Sequence, residues 1–123
     1  MKYELVFEFD LDQPDVSLTD RYDQALEFET QKINNVTVIR TNIELPNKIK
    51  VHIQNIDPPP KIKLLSVSLG HIKFLKNSLD KLFVYHHPYG ENRNTVWEYG
   101  GLAEFEFFEH NAIKYHLLSG TVI

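Results

Sequence analysis

Residues 95–118 read TVWEYGGLAEFEFFEHNAIKYHLL, and their periodicity decides the fold class. Ala103, Phe105 and Phe107 fall on one side of an extended chain and Glu104 and Glu106 on the other, a period of two that suits a strand and not a helix. Val96, Trp97 and Tyr99 run into Gly100-Gly101, which reads as the turn of a hairpin. After a break at Glu109-His110-Asn111 the alternation resumes at Ile113, Tyr115 and Leu117. Three strands are therefore expected at the centre of a sheet with one apolar face, and the rest of the chain must cover that face.

Working outward, Tyr3, Leu5, Phe7, Phe9 and Leu11 alternate with a mostly acidic set, which predicts a strand with one buried and one wet face. Residues 16–24 lack clean periodicity and read as a connecting loop, with one helical turn after Thr19 or Asp20. Leu26, Phe28 and Thr30 begin a short strand, Asn34-Asn35 marks a turn, and the β-branched residues 36–45 form the next strand. Ile49, Val51 and Ile53 alternate with Lys48, Lys50, His52 and Gln54. Pro58-Pro59-Pro60 cannot continue a ladder, because proline has no N–H to donate. Residues 61–69 resume as a strand ending at Gly70, with residues 71–74 as a short continuation. Asn77-Ser78 is expected to cap a helix of one or two turns, Phe83–Tyr85 to be strand, and residues 86–94, HHPYGENRN, to be loop. Many short strands with one short helix predict an all-β fold: a single antiparallel β-sandwich domain over residues 1–123, of jelly-roll or Greek-key kind, with a small closed barrel as the alternative.

A chain of 123 residues is one domain by size. Without Cys it has neither a disulfide framework nor a thiolate zinc site. The opening MKYELVFEFDLD has no apolar signal-sequence core and no run reaches membrane-span length, so a soluble chain without membrane contact is expected. Asn35-Val36-Thr37 fits a glycosylation sequon, which in the expected absence of a signal peptide reads as a chance match. The net charge of −4 argues against a dedicated nucleic-acid binder, yet charge is unevenly placed. Residues 1–30 carry a balance of −7, residues 31–82 of +6, and residues 83–123 of −3. A basic middle between acidic flanks suits strands that pair complementary charges across a sheet, or a patch for an anionic partner.

The richest chemical constellation is Tyr85, His86, His87, Tyr89, Asn92, Arg93 and Asn94, followed by Trp97, Glu98 and Tyr99. Sugars present apolar C–H faces rimmed by hydroxyls, so their sites need an exposed ring flanked by amide, carboxylate or guanidinium groups. Trp97, Tyr99, Tyr89 and Tyr85 are the candidate stacking residues, with His87, Asn92, Arg93, Asn94 and Glu98 as polar contacts. The alternative is that Trp97 is core and the loop an ordinary connection. Together with the sandwich layout, this segment resembles carbohydrate-binding modules, in which aromatic platforms sit on the face or loop edge of a small jelly roll. The resemblance is one of pattern, and it implies a non-catalytic module that binds a polysaccharide or glycan.

Other constellations are thinner. Asp10, Asp12 and Asp15 leave the first strand at spacings that could offer oxygen ligands to calcium, or belong to an ordinary turn. Residues 104–109 resemble the E-x-D-x-x-E signature of laminarinase-like jelly-roll glycoside hydrolases, with Glu106 where that signature has Asp. The same alternation fits any half-exposed strand. His52, His71, His86, His87, His110 and His116 are too scattered for a zinc site. Lys48, Lys50, Lys61 and Lys63 would line one sheet end in a hairpin turned at the prolines, either as an anion footprint or as edge protection. No nucleophile elbow, phosphate loop or H-E-x-x-H is present, so no enzyme is expected. A structural or assembly protein of viral or phage type, working as a homo-oligomer, is the second functional expectation, and a small glycoside hydrolase the third.

Overall fold

In the computed structural model, residues 2–10, 15–54 and 61–107 are described, with the backbone alone at Lys76 and Asn77. In chain order the strands are β1 (Lys2–Phe9), β2 (Val16–Thr19), β3 (Glu29–Ile33), β4 (Val36–Glu44), β5 (Asn47–Ile53), β6 (Ile62–Leu69), β7 (Ile72–Leu75), β8 (Phe83–His87), β9 (Gly90–Asn92), β10 (Val96–Trp97) and β11 (Gly101–Phe107). Among the described residues a single 3₁₀ helix, Lys76–Lys81, joins β7 to β8. One sheet has the order β10-β6-β1-β4-β3, with β7 also on β6, and the other the order β2-β5-β11-β8-β9. Every strand pair is antiparallel. The result is an all-β sandwich of two separate sheets, not a closed barrel.

The core follows from the alternation. Leu5, Phe7 and Phe9 of β1 and Ile49, Val51, Ala103, Phe105 and Phe107 of the facing sheet belong to one buried cluster. Phe7 meets Phe105 edge-on across the sandwich at 5.2 Å between ring centroids, and Phe83 lies 5.0 Å from Phe105. A buried aromatic contributes roughly 1.5–3 kcal/mol by area alone, so this stack is a principal source of cohesion. As its pattern suggests, β11 is the central strand of its sheet. Glu104 lies opposite Lys50 and Glu106 opposite Lys48, so the acidic and basic segments do pair across strands.

Five expectations need correction. Gly100-Gly101 is not a hairpin turn: β10 belongs to one sheet and β11 to the other, so the glycines carry the chain between layers. A Cβ at Gly101 would stand 2.1 Å from the His86 carbonyl oxygen, so close backbone approach explains the glycine there. Residues 16–19 form β2 because Val16 and Leu18 pack inward against β5 while Ser17 and Thr19 point out. Residues 86–94 are not all loop, since β9 folds back on β8 with His87 opposite Gly90. The one short helix is present as expected, as a 3₁₀ turn, but it begins after Leu75 without the side-chain cap expected at Asn77-Ser78. The lysine hairpin also dissolves, because β5 and β6 lie in different sheets. The Asn34-Asn35 turn forms as read, with both residues at positive φ, the geometry that tight hairpins demand. The expected strand at residues 113–117 lies outside the described residues.

Gly101→Ala is expected to destabilise the fold by about 1–3 kcal/mol or more, since neither backbone can yield without breaking the β8–β11 ladder. Urea denaturation measures it, and a change below a few tenths of a kcal/mol would contradict the crossing geometry.

Candidate ligand-binding site

Two of the four candidate stacking residues are scaffold. Trp97 is 0 % exposed and Tyr85 1 % exposed, so neither ring can meet a ligand. Trp97 packs on Phe9, Phe83 and Tyr85, each at 5.8 Å, and its Nε1–H donates to the Asn94 carbonyl at 3.0 Å. The Tyr85 hydroxyl accepts from the Tyr99 N–H at 3.0 Å and donates to the Tyr99 carbonyl. Burial wins here because an aromatic of this size loses more by exposure than its single polar atom gains, provided that atom finds a partner.

From this scaffold a ladder of rings leads outward. Tyr85 lies 5.1 Å from His87, His87 stacks on Tyr99 at 5.4 Å, and Tyr99 meets Tyr89 edge-on at 5.1 Å. Tyr89, at the turn between β8 and β9, is 79 % exposed. Its backbone N–H donates to His87 Nδ1 at 3.2 Å. Asn92 stands opposite Tyr85 in the register and brings its amide nitrogen within 3.3 Å of His87 Nε2. A neutral imidazole has one acceptor nitrogen, so the ring accepts from Tyr89 or from Asn92 and not from both. The Asn92 carbonyl oxygen accepts from the Asn94 N–H at 2.9 Å, which fixes the amide's orientation.

The remaining candidates divide. Asn94 and Glu98 are exposed beside this ladder in sequence. Arg93 turns away: its guanidinium donates to the Asp80 carbonyl at 3.0 Å and lines a depression beside Leu82 and Val84. Asp10 and Asp15 are exposed, and Asp12 lies outside the described residues. Among the described residues no group of three His, Asp or Glu side chains could hold a metal ion. Glu104 and Glu106 share the Lys48 ammonium at 3.7 and 3.4 Å on the outer face of their sheet. His52 bonds to Thr19 at 2.8 Å, and His86 stands 3.2 Å from Glu91; His110 and His116 lie outside the described residues.

Comparison with known proteins adds no relative: no family model, curated protein or solved structure matches the chain. Among the described residues, no helix is long and apolar enough to cross a membrane.

Desolvation holds the Tyr85 hydroxyl above its ordinary pKa, opposed in part by its bond to the Tyr99 backbone. A raised folded-state value means that the folded chain keeps a proton which the unfolded chain releases, so stability is lost as pH climbs above the ordinary tyrosine range of about 10. Tyr85→Phe is expected to lower stability at neutral pH by about 1–3 kcal/mol, through the unpaired Tyr99 backbone, and to flatten the alkaline decline. Urea denaturation from neutral to alkaline pH checks both; an unchanged alkaline slope in the variant would refute the assignment.

Proposed function

We propose that this chain is a non-catalytic glycan-binding β-sandwich whose platform is Tyr89 with Tyr99 and His87. The observation that carries this reading is an exposed Tyr89 ring held in place by ring contacts to Tyr99 and His87. A ring already fixed costs little further entropy when a sugar face stacks on it. Asn92, Asn94 and Glu98 supply the amide and carboxylate groups that sugar hydroxyls require. Calcium assistance through Asp10, Asp12 and Asp15 belongs to the same proposal.

A second reading, self-assembly of a viral or phage structural component, is favoured by β3. All five of its residues are exposed, and among the described strands it pairs only with β4. Such an edge is a template for strand addition.

A panel of neutral glycans, titrated with calcium and again with chelator, tests the leading reading. Tyr89→Ala is expected to weaken the best ligand about tenfold or more, a loss of about 1.4 kcal/mol, with the fold unchanged by circular dichroism. Retained affinity would overturn the platform, and equal affinity in chelator would remove calcium. A panel without a hit, with a defined oligomer by light scattering, would favour assembly.

A further inference from the structure

The outer face of the β2-β5-β11-β8-β9 sheet carries a furrow that the platform does not use. Two depressions, of about 390 and 250 Å³, share Lys48, Glu104 and Glu106 as their common wall. Arg21 and Lys50 line the first, and Lys81 and Arg93 the second. These cations are far apart in sequence and are gathered by strand order alone. Lys50 follows Lys48 along β5, Arg21 follows β2, Lys81 precedes β8 and Arg93 follows β9.

The local charge runs against that of the chain. Lys50 is paired with Asp23, and Lys48 bridges Glu104 and Glu106. With Asp23 and Asp20, whose charges both act on Lys50, five cations face four carboxylates, on a chain of net charge −4. Among the described residues, neither guanidinium is paired with a carboxylate. Arg21 donates to the Pro46 carbonyl at 3.5 Å and lies over the Tyr22 ring, and Arg93 donates to the Asp80 carbonyl. Each keeps its charge and further N–H donors in the planar fork that suits carboxylate or sulfate.

We infer that this furrow binds an acidic oligosaccharide. Its anionic groups meet Arg21 at one end and Lys81 with Arg93 at the other, and its intervening hydroxyls donate to Glu104 and Glu106. The central carboxylates distinguish a sugar from a nucleic acid. They accept hydroxyl protons, whereas they would repel an unbroken row of phosphates. The aromatic lining residues, Phe83 and Phe107, are buried in the core, and the one exposed ring nearby, Tyr22, lies beside Arg21 outside the lining, so the furrow floor presents no ring on which successive bases could stack. The inference does not rest on the Tyr89 platform, since neutral-glycan and acidic-glycan binding can succeed or fail separately.

The test is titration of the whole chain with a polyuronate, a sulfated glycan, an uncharged glucan and single-stranded DNA, at low and high salt. The variant combines Arg21→Gln, Lys81→Gln and Arg93→Gln, three exposed positions outside the core, and Lys63→Gln on the other sheet is the control. One or both acidic glycans are expected to bind about tenfold or more tighter than the glucan, to weaken with salt, and to lose about tenfold or more in the triple variant but not in the control. The preferred acidic glycan identifies carboxylate or sulfate as the recognised group. Failure of both acidic glycans to outbind the glucan, an unaffected triple variant, or DNA bound as tightly as the acidic glycans would overturn the inference.

Discussion

The bond between the Tyr85 hydroxyl and both backbone groups of Tyr99 is the constraint on which the rest of the structure turns. Between Trp97 and Gly101 the chain leaves one sheet and enters the other, and such a crossing strands backbone N–H and C=O groups outside any ladder. One phenol satisfies both groups of Tyr99 from within the core. Gly101 can then pass beside the His86 carbonyl and open β11 at the centre of its sheet. Trp97 fills the space that the crossing closes over, where it touches rings from both layers. The same tie sets Tyr99 in place beneath Tyr89, so the core hydrogen bond and the surface platform are parts of one arrangement.

The strands were legible wherever period-two alternation ran for five residues or more. For β1, β5 and β11 the buried residues are nearly those that the alternation picks out, whereas β4 and β6 were read from their apolar and β-branched content and bury adjacent residues. The pairing of lysines in β5 with glutamates in β11 was legible as complementary charge, though not as register. Layer assignment was not legible. Gly-Gly serves a tight turn and a close backbone approach equally well, and periodicity does not say which sheet a strand joins. β2 and β9 escaped because four and three residues are too few to show a period. Their edge positions also leave turn-forming residues close by.

For the site, composition located the segment but not the depth of each ring. Tyr85, Tyr89, Trp97 and Tyr99 look alike in sequence, and burial separates them. Two point into the core because their strands alternate that way, and Tyr89 points out because it sits at a turn. The cationic furrow was legible only in Lys48 and Lys50, which were read as part of an anion footprint but grouped with Lys61 and Lys63 of the other sheet. Arg21 came from a segment without periodicity, and Arg93 from a loop read together with its aromatic neighbours. Only the strand order brings them to one face. One sheet therefore carries an aromatic rim at one end and a charged furrow across its outer surface.

The chain has one Trp, so its fluorescence reports the central claim without interference from a second indole. The measurement is acrylamide quenching of native Trp97, with and without saturating glycan. A buried crossing gives blue-shifted emission that acrylamide scarcely reaches, unchanged by ligand and released only on unfolding. Red-shifted emission that is freely quenched in the native state, and protected when glycan binds, would place Trp97 on the surface and contradict both the crossing and the platform built upon it.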